Sequence, residues 1–120
     1  MQVTGSFPEG IITEDGIFQG FVLMEQTFRT TLEIAHDPDI DKELINDEVY
    51  YSACLMSKRL QVEGLDRVTP EQVLDLSALD TAELINKTNA LETQRANFRD
   101  AAKAAAEERD RALKAGDNQD

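Results

Sequence analysis

Asp37, Asp39, Asp41 and Glu48 occupy positions one, three, five and twelve of the spacing with which an EF-hand loop wraps calcium. Carboxylates are hard ligands, and a predicted helix on either side could bring them around one cation. Two residues oppose this. Lys42 stands at the sixth position, where the loop turns sharply and Gly is the residue that fits, and it places a positive charge beside the ion. Pro38 stiffens the second position. In a chain with 24 Asp and Glu against 12 Lys and Arg, this spacing also arises by chance. The first reading is a solvated acidic loop, with an acidic EF-hand-like calcium module as the alternative.

Other chemistry is sparse. His36, the single histidine, sits near a predicted helix end, where an imidazole meets terminal carbonyls. Cys54, the single cysteine, cannot form an internal disulfide and lies in an apolar helical pattern, where a thiol packs as a small hydrophobe. There is no second His or Cys at metal-ligand spacing, no Ser with an evident base, and no Gly cluster to cradle phosphate. No catalytic residue and no cofactor is assigned, and the expectation is a protein that is not an enzyme.

Charge narrows the partners. A net charge of −12 repels phosphate backbones and anionic lipid, so neither nucleic acid nor membrane is expected. The excess is concentrated before Asp66, whereas after Arg95 charges of both signs interleave. No run of eighteen apolar residues is present, and the start lacks a basic stretch followed by a greasy one, which points to a soluble, unexported chain.

The elements that hold these residues follow from local pattern. Val3, Phe7 and Ile11 to Thr13, then Ile17 to Met24, alternate with the turn formers Pro8-Glu9-Gly10 and Glu14-Asp15-Gly16, which predicts one or two β-hairpins over 2–24. Ile12, Phe18 and Val22 are expected on the covered side. Thr27 predicts a cap for a helix over 27–36 with Phe28, Leu32 and Ala35 spaced to face one way, ended by Asp37-Pro38. Asn46 predicts a cap for a helix over 46–63, closed by Gly64. On that helix Val49, Ala53, Met56 and Leu60 form one stripe, and Tyr51, Leu55 and Val62 gather nearly opposite. The spacing predicts a central helix covered by the hairpin and by the C-terminal helix.

Thr69-Pro70-Glu71-Gln72 predicts a capping box and a short helix over 70–76. A last helix should begin around Asp80, capped by Asp80 with Glu83 or by Ser77, and run over 80–98 and beyond. Its stripe is Leu84, Thr88, Leu91, Arg95 and Phe98, followed by Ala102 and Ala106. From Phe98 to Leu113 no large apolar side chain intervenes, although the composition favours helix strongly. The fold class expected is α+β, mainly α: an N-terminal hairpin packed on a small helical bundle, with a long, partly exposed C-terminal helix. Residues 1–98 form the domain, and 99–120 an Ala- and charge-rich helical extension ending in a disordered tail.

Several of these landmarks resemble one family. Gly5, the Phe7-Pro8-Glu9-Gly10 turn, the Asp15-Gly16 hairpin, the Phe18 to Met24 segment and the helix at Thr27 to Glu33 are similar to the start of phage tail assembly chaperones of the Mu-like class. Tyr50 to Leu60 with Gly64, Thr69-Pro70-Glu71 leading to Val73-Leu74-Asp75-Leu76, then Asp80 and Leu84 are similar to that family's central and third helices. The resemblance spans Val3 to Phe98. The acidic loop from Asp37 to Asp47 and the Ala-rich end after Asp100 fall outside it.

The resemblance implies a non-enzymatic protein of the host bacterial cytoplasm that binds the tape-measure protein during tail assembly and is absent from the mature virion. It also implies self-association and a frameshifted, longer form of the chain. A structural tail accessory protein is the neighbouring alternative. Tyr51, Leu55, Val62, Leu84, Leu91 and Phe98 are the candidate partner contacts, with intramolecular core the competing role for the last three.

Overall fold

A computed structural model describes residues 1–117. Seven elements follow in order: β1 (Gln2–Thr13), β2 (Gly16–Met24), α1 (Arg29–His36), α2 (Glu48–Arg59), β3 (Leu60–Val62), α3 (Pro70–Leu74) and α4 (Ala78–Asp117). The class is α+β. The three strands form one antiparallel sheet in the order β1-β2-β3, with β2 central. The single long hairpin turns at Glu14-Asp15, where the Asp15 N–H donates to Thr13 Oγ1 at 3.1 Å.

The hairpin is interrupted by a bulge. Ser6 pairs with Gly20 and Ile11 with Phe18, so Phe7 to Gly10 lie opposite Gln19 alone. Gly10 has φ +97, and a Cβ there would come within 2.7 Å of the Phe18 carbonyl oxygen, so only glycine fits. The bulge turns two peptide N–H groups out of the ladder. Asp80 receives both: Oδ1 accepts from Glu9 N at 2.8 Å and Oδ2 from Gly10 N at 2.9 Å. This carboxylate is completely buried in the first turn of α4. Ser77 Oγ caps that turn by accepting from Asp80 N at 3.1 Å, so of the two expected caps it is Ser77 that serves.

From this clasp α4 runs back along β1 and packs on it. Phe7 stacks on Phe21 with ring centroids 4.4 Å apart, and Ile11, Leu23, Leu60, Val62, Leu84 and Leu91 close the main core. At the far end Arg95 pairs with Glu25, which also meets the N-terminal amine. Beyond Arg95 the helix leaves the domain, and its 40 residues give the molecule a long dimension of 73 Å against 32 and 23 Å. The expected extension is therefore helical through Asp117; the disordered tail expected at the very end lies outside the described residues.

Other expectations are corrected. The central helix stops at Arg59, and Leu60 to Val62 instead form β3, which pairs with β2 from Leu23 to Phe21. Alternating large apolar residues in a β-branched context served the sheet edge better than a last helical turn. Gly64 still has φ +93, but it closes the turn after β3 and not a helix. Asp47 rather than Asn46 caps α2, accepting from Val49 N and Tyr50 N. The Thr69 capping box forms as expected, although α3 ends at Leu74.

Burial departs more sharply. On the hairpin Phe7, Ile11, Phe21 and Leu23 are inside, whereas Ile12 is exposed and Phe18 and Val22 are half-buried. Helix α1 has no side-chain cap and starts at Arg29; it buries Thr30 and Ile34, leaving Leu32 and Ala35 outside and Phe28 91% exposed. Its rotation is set by the chain that follows, because Lys42 Nζ grips the carbonyl oxygens of Ile34 at 2.9 Å and Asp37 at 2.6 Å.

Asp80→Ala should lower the unfolding free energy by about 3 kcal/mol, since two peptide amides of the bulge lose a charged, fully buried acceptor. Asp80→Asn should cost nearly as much, because its NH2 faces one of the same amides. Urea unfolding monitored by circular dichroism reads both; a loss under about 1 kcal/mol would show that the clasp is not a main support of the fold.

Candidate interaction surface between α2, α3 and α4

Helix α2 packs against α1 and α3 and does not lie along α4. The stripe expected to be covered by the C-terminal helix therefore stays partly open. Val49, Ala53 and Met56 form one wall of a groove, Val73 and Leu74 of α3 its end, and Leu84 and Ile85 of α4 the other wall. Ser52, Thr81 and Thr88 complete it, and among the described residues no charged side chain lines it. Thr88 Oγ1 already donates to the Leu84 carbonyl at 2.8 Å, so the groove offers almost nothing but carbon. Val49 is 68% and Ile85 55% exposed, large apolar side chains left in water on the lining of this groove.

The groove holds about 260 Å³, below the roughly 300–1,000 Å³ of small-molecule sites. Its shape suits side chains projecting from another surface. A second apolar hollow lies where α4 leaves the domain, lined by Met1, Gln94, Phe98 and Ala102 with Arg95 and Arg99 beside them.

The six candidate contacts are dispersed by the fold. Val62 is buried in β3 and belongs to the core, because the segment carrying it is strand and not helix. Leu84 and Leu91 are core as well, with Leu84 also lining the groove. Tyr51 and Leu55 are half-buried against a second cluster of Ile34, Ile40, Tyr50 and Cys54. Only Phe98, 65% exposed, stands free of the core. Periodicity grouped Val49 with a stripe expected to be covered and did not single out Ile85, since it shows which residues share a face but not whether that face is covered.

The acidic loop is tied to cations of the chain itself. Asp37 Oδ2 accepts from Lys58 Nζ at 2.5 Å and from Arg67 at 3.2 Å, and Arg67 also holds Asp39 at 2.7 Å. Asp37 Oδ1 accepts from Asp39 N and Asp41 Oδ1 from Glu43 N, both at 2.9 Å. Glu48 lies exposed in the first turn of α2. Among the described residues no three His, Cys, Asp or Glu groups converge on one metal position. The loop instead joins the end of α1 to α2 and to the segment before α3.

Lys58 holds the Asp37 carboxyl below its ordinary value by direct hydrogen bonding; burial opposes the shift, and the Asp39 N–H and the Arg67 charge assist it. Burial pushes the Cys54 thiol up, so it is a packing group at neutral pH. His36 ends α1 on the surface. Among the described residues no helix is long and apolar enough to cross a membrane.

Two outcomes follow from these placements. The folded Asp37 carboxyl titrates below the ordinary 3.8, so its contribution is complete above that value and is lost as the pH falls through the folded one. Asp37→Asn should cost about 2 kcal/mol at neutral pH and flatten the acid limb of a stability-against-pH curve. Separately, Ile85→Ser and Val49→Ser should change stability by less than about 0.5 kcal/mol, whereas Val62→Ala and Leu91→Ala should cost about 2–4 kcal/mol in the same denaturation assay.

Compared with protein-family models, curated proteins and solved structures, the chain matches none.

Proposed function

We propose that this chain is a non-catalytic assembly chaperone that covers apolar stripes on a long helical partner. The observation that carries the reading is the uncharged apolar groove between α2, α3 and α4, open on an otherwise strongly acidic protein. An amphipathic helix docks into such a groove through residues spaced one turn apart, while the charged exterior of the chaperone keeps the complex in solution. A rod-shaped protein with repeated apolar stripes needs many such covers until it is enclosed.

The resemblance to phage tail assembly chaperones supplies the partner: a tape-measure protein, bound in the host bacterial cytoplasm and released before the virion is complete. A frameshifted, longer form of the chain would carry the same groove, because α4 continues outward from it. Neither role requires a bound cofactor or a bond-breaking step.

Co-expression tests this directly. The tape-measure protein encoded beside this chain should be insoluble alone, soluble with the wild-type chain, and at least about tenfold less soluble with Ile85→Glu. Continued insolubility with wild-type chain across stoichiometries, or the chain remaining in purified particles, would overturn the reading.

A further inference from the structure

The part of α4 that leaves the domain has no core to serve, yet it is not featureless. Ala102, Ala105, Ala106, Arg109 and Leu113 fall within about 100° of arc on one face, and Leu113 is 63% exposed. Alanines let another surface approach closely, and Leu113 offers one large apolar knob.

Charge is distributed to match. Arg95, Arg99, Lys103, Arg109, Arg111 and Lys114 are half of the 12 Lys and Arg, and six of the 24 acidic residues lie in the same C-terminal stretch. That stretch is neutral, so the whole net charge of −12 resides before Arg95. Two domains repel each other, but a domain and an extension do not. Arg109, central on the face with Leu113, is suited to the acidic start of α2 at Asp47 and Glu48.

We infer that the extension of one copy docks in the α2–α3–α4 groove of a second copy. The extension cannot fold back into its own groove. Helix α4 is continuous from Ala78 to Asp117, with no Pro in it and no Gly before Gly116, and at 1.5 Å per residue Leu113 stands about 40 Å along the axis from Ile85. The contact is therefore between copies and heterologous, a tail of one in the groove of the next, leaving a free groove and a free tail at the ends of any open assembly. Self-docking also covers the groove while no foreign helix is there, so a partner helix and a second copy compete for one surface.

The inference shares its groove with the proposed function but needs no tape-measure protein, so the two fail separately. Full-length Ile85→Glu has a spoiled groove and an intact tail; full-length Leu113→Glu has the reverse. Both positions are exposed, and circular dichroism should show both variants folded; Val49→Glu replaces Ile85→Glu if the latter unfolds. In sedimentation velocity over about a hundredfold concentration range, the wild type should associate and each variant alone should remain monomeric. An equimolar mixture of the two should form a heterodimer of twice the monomer mass and nothing larger, since only one good tail and one good groove exist per pair. A monomeric wild type, association of either variant alone, or a mixture that stays monomeric would each overturn the inference.

Discussion

The buried carboxylate of Asp80 ties the bulge of the N-terminal hairpin to the start of the last helix, and the course of α4 across the molecule follows from that link. A bulge in a hairpin frees peptide N–H groups that cannot be left dry without cost. Here they are satisfied by a side chain from the first turn of the last helix, about seventy residues away in sequence. The clasp sets where α4 begins relative to β1, and the apolar contacts of Leu84 and Leu91 set its direction. The same interaction occupies amides on the outer strand, which is one way a sheet edge is kept from pairing with strangers.

Because α4 is committed to β1, it cannot also cover α2. The short helix α3 bridges the gap, and the apolar stripe of α2 is left facing a groove. A helix that runs past its core and an apolar groove left uncovered by the chain's own helices are thus two consequences of one docking geometry. The distal half of α4 is sustained by composition and intrahelical bonds, which suffices for a helix of this length without tertiary burial.

The loop after α1 shows how charge can be structural in a protein with excess acid. Asp37 and Asp39 are neutralised by Lys58 and Arg67, and Lys42 is spent on carbonyl oxygens at the end of α1. A spacing that matches a calcium loop on paper becomes, in three dimensions, a tether between α1, α2 and the approach to α3. The residue that departs from the calcium pattern, Lys42, is the one whose side chain organises the turn.

What could be read from residue order alone was everything governed by near neighbours: the hairpin, the capping box at Thr69, the start of the last helix near Ser77, the α+β class, and a C-terminal helix that outruns its packing. These depend on backbone preference and on bonds spanning a few residues, which a linear pattern displays. Tertiary structure alone decided which apolar stripes are covered. Periodicity placed Val49 with Met56 and Val62 with Tyr51, but burial depends on what arrives from elsewhere in the chain. Pairing with β2 drew Val62 into the core as strand, and the Asp80 clasp carried α4 away from Val49. Neither event leaves a local mark, because both arise from contacts between residues far apart in sequence.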